Sequence, residues 1–165
     1  MRNLTAPWVE KFYTQLTKHL LNGNVFYAAG ESYPLVLRLA TDCGERIIFY
    51  LDETLPPVGD ETIFYVDESL GHQVEVSSFP YPYAPHGKND GPPLKEVGNA
   101  AVLVSADIWL SDEETRKLPV AISFRYGNGW VFYTSFQIEK TLETMEARNL
   151  ASAIATLTYK ISEIQ

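Results

Sequence analysis

The sequence predicts a layered α/β domain in which a central sheet is covered by helices on both faces, and three observations carry that expectation. Residues 119–138 (PVAISFRYGNGWVFYTSFQI) read as two strands joined by a tight turn. In the first arm Val120, Ile122, Phe124 and Tyr126 alternate with Ala121, Ser123 and Arg125, a period of two that gives one apolar and one more polar face. The second arm, residues 130–136, is apolar on both faces, as in a strand covered on both sides. Gly127, Asn128 and Gly129 tolerate positive φ, so the turn between the arms forms with little strain.

The remaining elements follow in chain order. Thr5 and Pro7 open a helix over residues 6–22, a capping hydroxyl followed by a proline whose missing N–H does no harm in the first turn. Trp8, Val9, Phe12, Leu16 and Leu20 recur at helical spacing, and Asn22-Gly23 ends the helix. Residues 24–29 (NVFYAA) are a short apolar run bounded by glycines, a buried strand. Pro34 opens a second helix, in which Tyr33, Leu35, Val36 and Leu39 mark a helical face up to Ala40. Strands follow at 46–51, 62–66, 73–79 and 100–105, with a loop at Pro56, Pro57 and Gly59 and a turn at 67–71. Residues 80–93 (PYPYAPHGKNDGPP) hold five of the ten prolines and are irregular. Residues 107–118 read as a polar connection with room for a helical turn, and Met145, Leu150, Ile154, Leu157 and Ile161 mark a closing helix over 142–164.

At 165 residues the chain suits a single domain, residues 1–165, long enough to bury about 70% of its unfolded surface. Hydrophobic residues at 45% and charged ones at 21% are ordinary for a folded globular protein. Thirteen basic and twenty-one acidic residues give a net charge of −8, which repels phosphate backbones and anionic membranes, so neither nucleic acid nor membrane is expected as a partner. No apolar run approaches the ~20 residues of a membrane helix, and the opening MRNLTAPWVEK has no apolar signal core, so a cytoplasmic location is expected. Cys43 is the one cysteine, which leaves no internal disulfide framework and no multi-cysteine metal site.

The run YGNGWVFYTSFQIE resembles the G-x-G-x-V-x-Y-T-S-F-H segment near the end of class I glutamine amidotransferase-like domains, a group that includes ThuA-like proteins and bacterial modules that stand alone or are joined to von Willebrand A domains. LLNGNVFYAAGESYPLVLRL is similar to the strand and following helix of those modules, and RIIFYLDE with TIFYVDESLGHQVEVSSF to their inserted β segment, so the likeness spans most of residues 9–160. It implies a flavodoxin-like, three-layer fold: a central mixed sheet with helices on both faces, an inserted β segment and a C-terminal β-hairpin. This chain departs from the pattern in two ways. Gln137 stands where the motif ends in His, and the expected first strand and helix are missing. A sheet shortened in that way exposes an edge that a partner strand or a second copy of the chain would pair.

The candidates for chemistry are few. An amidotransferase nucleophile is a cysteine on a sharp strand-to-helix turn, served by a histidine. Cys43 follows a helix and precedes a strand, the reverse order, and reads as a small residue at a helix end. Ser32 in Gly30-Glu31-Ser32 lies on a strand-to-helix turn, but Pro34 stands where G-x-S-x-G needs a glycine, so a helix cap is the preferred reading. An enzyme of hydrolase or amidase type would use Cys43 or Ser32 with His86 and Glu31. His19, His72 and His86 match no metal-ligand spacing, and no metal or cofactor is expected. Glu31, Ser135 and Gln137 are candidates for binding a small ligand at the carboxyl end of the sheet, as in a sensor domain. Tyr81 and Tyr83, held between prolines, are candidate interface anchors, weighed equally against a loop folded back on its own domain. The leading expectation is a non-catalytic module that binds a protein partner or its own copy through a sheet edge or the 80–93 loop.

Overall fold

The computed structural model describes residues 6–50, 62–66, 78–79, 91–111 and 114–135. Helix α1 spans Pro7–Leu21. Strand β1, Val25–Ala29, leads through a 3-10 turn, Gly30–Ser32, into helix α2, Tyr33–Cys43. The strands that follow are β2 (Ile48–Phe49), β3 (Thr62–Val66), β4 (Ser78–Phe79), β5 (Leu94–Glu96), β6 (Ala101–Ser111), β7 (Glu114–Tyr126) and β8 (Gly129–Thr134). Six of them form a mixed sheet in the order β1-β8-β7-β6-β3-β4, and β2 pairs with β5 separately. Among the described residues only β1 and β8 run parallel, and the other ladders of the main sheet are antiparallel. The architecture is therefore α/β with a mixed sheet, and among the described residues no helix is long and apolar enough to cross a membrane.

Strand β8 is the centre of the arrangement, with a parallel neighbour on one side and an antiparallel one on the other. The two registers set Ala28, Tyr133 and Ile122 in one row and Phe26, Val131 and Phe124 in the next, all on one face because side chains alternate along a strand. That face meets Tyr13, Leu16 and Leu20 of α1 and Val36, Leu39 and Ala40 of α2 in one hydrophobic cluster. Phe49 of β2 joins it, with its ring edge-on to Tyr133 at 5.2 Å between centroids. Opposite, Ala121, Ser123, Phe132 and Thr134 are also buried, so β8 is enclosed on both faces, as its apolar sequence requires. The hairpin turn is tighter than the sequence suggests: Gly127 takes φ 57°, while Gly129 already pairs with Tyr126 inside the ladder. A Cβ at Gly129 would run into the carbonyl oxygens of Asn24 and Leu20, so glycine lets the end of α1 lie directly on the strand.

Five expectations need correction. Residues 107–118 are no polar connection with a helical turn: β6 continues to Ser111 and β7 begins at Glu114, paired from Ser111 and Glu114 inward. The first hairpin arm has no polar face in its inner part, since Val120, Ala121, Ile122, Ser123 and Phe124 are all buried. The run 46–51 yields only the two residues of β2, outside the main sheet. Residues 24–29 give a strand that is half-buried and not enclosed, with Tyr27 40% exposed, because among the described strands β1 ends the sheet. On α1 the buried stripe is Val9, Tyr13, Leu16 and Leu20; Trp8 and Phe12, read as part of it, are exposed. The closing helix at 142–164 and residues 80–90 lie outside the described residues.

Candidate functional site

Because β1 and β8 are parallel and Ala29 pairs with Thr134, Gly30 and Ser135 leave the sheet at the same end. This carboxyl end is where open α/β sheets bind ligands. The chain turns from β1 into α2 through Gly30, which is buried and takes φ 55°. A nucleophile elbow places its reactive residue on such a strained turn; here the strained position holds a residue with no side chain. Glu31 is exposed and Ser32 half-buried. Ser32 occupies the N-cap position of α2, yet its backbone is already helical (φ −77°, ψ −1°) and its side chain makes no capping bond, which corrects the expected cap. The 3-10 turn in front of α2 explains the difference, since it removes the extended conformation from which a capping hydroxyl reaches back.

The Ser135 backbone is fully used. Its N–H donates to the Val120 carbonyl at 2.8 Å, and its carbonyl accepts from the Gly91 N–H at 2.7 Å. Gly91, Pro92, Pro93 and Leu94 are all buried. The Tyr133 hydroxyl donates to the Pro92 carbonyl at 3.1 Å, and the Tyr50 N–H to the Pro93 carbonyl at 2.8 Å. A Cβ at Gly91 would run into the Gly30 carbonyl oxygen and the Tyr133 hydroxyl, so this strip of backbone lies against the strand-to-helix turn. The structure thus places Glu31 and Ser135 at one end of the sheet and lays the chain's own 91–94 segment across that end. On the far face the Tyr27 hydroxyl is 2.7 Å from Thr134 Oγ1.

Cys43 is the last residue of α2 and Ser32 precedes its first, so the two candidate nucleophiles stand about 16 Å apart along the helix at 1.5 Å per residue. Glu31 lies at the Ser32 end, so the structure does not bring Cys43 and Glu31 together. The Cys43 thiol donates back to the Ala40 carbonyl at 3.4 Å, and partial burial raises its pKa above the ordinary thiol value, which disfavours the thiolate. His19 is exposed and holds the Val25 carbonyl at 3.2 Å through Nε2. Tyr81, Tyr83, His72, His86 and Gln137 lie outside the described residues. Among the described residues no group of three His, Cys, Asp or Glu side chains gathers to hold a metal ion.

One polar cluster was missed in the sequence. Tyr13, buried under α1, hydrogen-bonds Asp42 at the end of α2, and Arg38 lies over the Tyr13 ring at 3.8 Å. Arg38 also grips Glu10 through both guanidinium nitrogens at 2.8 and 2.9 Å, tying α2 to α1. That hydrogen-bonded pair holds Glu10 below its ordinary carboxylate value, whereas burial and then the Asp42 contact push the Tyr13 phenol far up. The signal was the strict 9-13-16-20 spacing, which includes Tyr13 and leaves Trp8 and Phe12 out. Neither a protein-family model nor a curated protein matches the sequence. Among solved structures, the exo-beta-1,4-mannosidase Op5Man5 from Opitutaceae bacterium strain TAV5 is similar over 88% of this chain and 23% of its own length, at a TM-score of 0.45 and 16% identity. The chain therefore spans less than a quarter of that protein, and a likeness of this degree fixes neither fold nor activity.

Proposed function

We propose that the chain is a non-catalytic, amidotransferase-like module that serves as a binding or assembly component for a protein partner or its own copy. The observation that carries this reading is the filled carboxyl end of the β1/β8 pair, where Gly91–Leu94 occupies the usual ligand position and the strained turn falls on Gly30. The raised thiol of Cys43 and its distance from Glu31 further support it. Burial of Phe132, Ala121 and Ser123 on the face away from α1 and α2 supports the three-layer form that the resemblance implies. A cytoplasmic location goes with this reading on the sequence alone. The test is the mass of the purified chain in solution, alone and after affinity purification from its host. A dimer or a stoichiometric bound protein is expected; a strict monomer that carries nothing overturns the proposal. The sensor reading has one observation in its favour, the exposed Glu31 at the same sheet end as Ser135. A small-molecule thermal-shift screen separates it, because a ligand selective for the folded chain raises the melting temperature.

A further inference from the structure

The outward side of α1 carries a second stripe that the sheet does not use. Trp8, Lys11, Phe12, Gln15 and Lys18 are all exposed and recur at steps of three and four, which puts them on one helical face. Trp8 is 65% exposed and Phe12 43%, large values for aromatic side chains that sit one turn apart. No carboxylate shares this face. The one acid of the helix, Glu10, is held by Arg38 of α2 at 2.8 Å. Among the described residues neither Lys11 nor Lys18 stands in an ion pair. The face is therefore aromatic along one edge, at Trp8 and Phe12, and positive along the other, at Lys11 and Lys18, on a chain whose net charge is −8. Aromatic anchors beside a polar rim are the composition of a protein interface.

We propose that this face docks an acidic amphipathic helix of a partner protein, with apolar side chains against Trp8 and Phe12 and carboxylates paired to Lys11 and Lys18. Lys11 and Lys18 are two turns apart, about 10.5 Å along the axis, which matches Asp or Glu at i and i+7 on a helix lying alongside. A net charge of −8 over the chain as a whole repels an extended anionic surface, such as a lipid bilayer or a nucleic-acid backbone, more than a single helix whose carboxylates reach only this face. The proposal rests on the assembly reading and adds its surface and the chemistry of the partner.

The experiment uses the full chain and a fluorescein-labelled synthetic helix with Leu at i, i+3, i+4 and i+7 and flanking Glu, alongside a twin carrying Lys for every Glu. Anisotropy should show the acidic peptide binding about tenfold more tightly than its twin. The double substitution Lys11→Glu/Lys18→Glu should abolish that preference, and Trp8→Ala should weaken the acidic peptide about tenfold. Unchanged far-ultraviolet circular dichroism would confirm that these exposed substitutions leave the fold intact. Equal binding of the two peptides, or an unaffected double variant, overturns the proposal. So does tighter binding to phosphatidylserine vesicles through the same residues, which would assign the face to a lipid surface. If a protein that co-purifies with the native chain stays bound to a chain carrying Trp8→Ala, Lys11→Glu and Lys18→Glu together, this surface is wrong while the assembly reading survives; a strict monomer with no bound protein defeats that reading itself.

Discussion

Strand β7 passes through two environments. From Val120 to Phe124 its residues are buried on both faces, beneath α1 and α2 on one of them, whereas Glu114, Thr115, Arg116 and Lys117 are all exposed. The exposed half is no less a strand, because Lys117 pairs with Asp107, Arg116 with Ile108 and Thr115 with Trp109 along β6. Its side-chain contacts are superficial: the Tyr65 hydroxyl donates to Asp107 at 2.9 Å, Lys117 sits 4.1 Å from the Tyr65 ring centre, and Arg116 meets Glu114 at 2.7 Å. The inner half is held by apolar burial and the outer half by the backbone ladder and cross-strand pairs. Burial of a large side chain contributes several kcal/mol, while an exposed pair contributes roughly 0.2–1 kcal/mol.

Substitutions should separate the two halves. Tyr133→Ala, which empties a fully buried site beside Phe49 and Ile122, should cost about 3–5 kcal/mol in urea unfolding, the largest effect expected. Gly91→Ala forces a Cβ against Gly30 and Tyr133 and should cost about 1–3 kcal/mol. A neutral result there would break the claim that the 91–94 segment closes the sheet end. Tyr13 titrates differently in the two states: its raised pKa keeps the phenol protonated when folded, while the unfolded phenol ionises near pH 10. Its contribution is therefore complete below about pH 10 and is lost as pH rises beyond it. Tyr13→Phe should flatten that alkaline loss of stability. Cys43 should react with a thiol-specific alkylating agent at neutral pH more slowly than a free thiol, since its raised pKa lowers the thiolate fraction. Smallest of all, Lys117→Ala should change stability by no more than about 0.5 kcal/mol. A loss comparable to Tyr133→Ala would show that the two halves of β7 are not held differently.

The same contrast explains what the sequence reveals. Where a segment is enclosed, as in residues 130–134, the apolar pattern alone specifies strand, hairpin and a position inside the sheet. Where it is exposed, as in residues 114–117, polar side chains resemble a loop, and only pairing to a neighbour makes the strand. Helix α1 misleads in the opposite direction, because Trp8 and Phe12 are apolar but face outward while Tyr13, with a polar end satisfied by Asp42, faces in. The turn at Gly30–Ser32 was legible as a strand-to-helix junction from its glycine and from Pro34. That its end is blocked by residues 91–94 was not legible, since no local pattern records which distant segment crosses it.

The parallel partnership of β1 and β8 also bears on how the chain reaches its native state. The β7–β8 hairpin closes through two residues and its ladder forms locally, but Val25 must find Trp130 about a hundred residues away, and closing so long a loop carries the larger entropy penalty. Docking of the N-terminal helix–strand unit onto a preformed meander should therefore limit the folding rate, as expected for a topology rich in distant contacts.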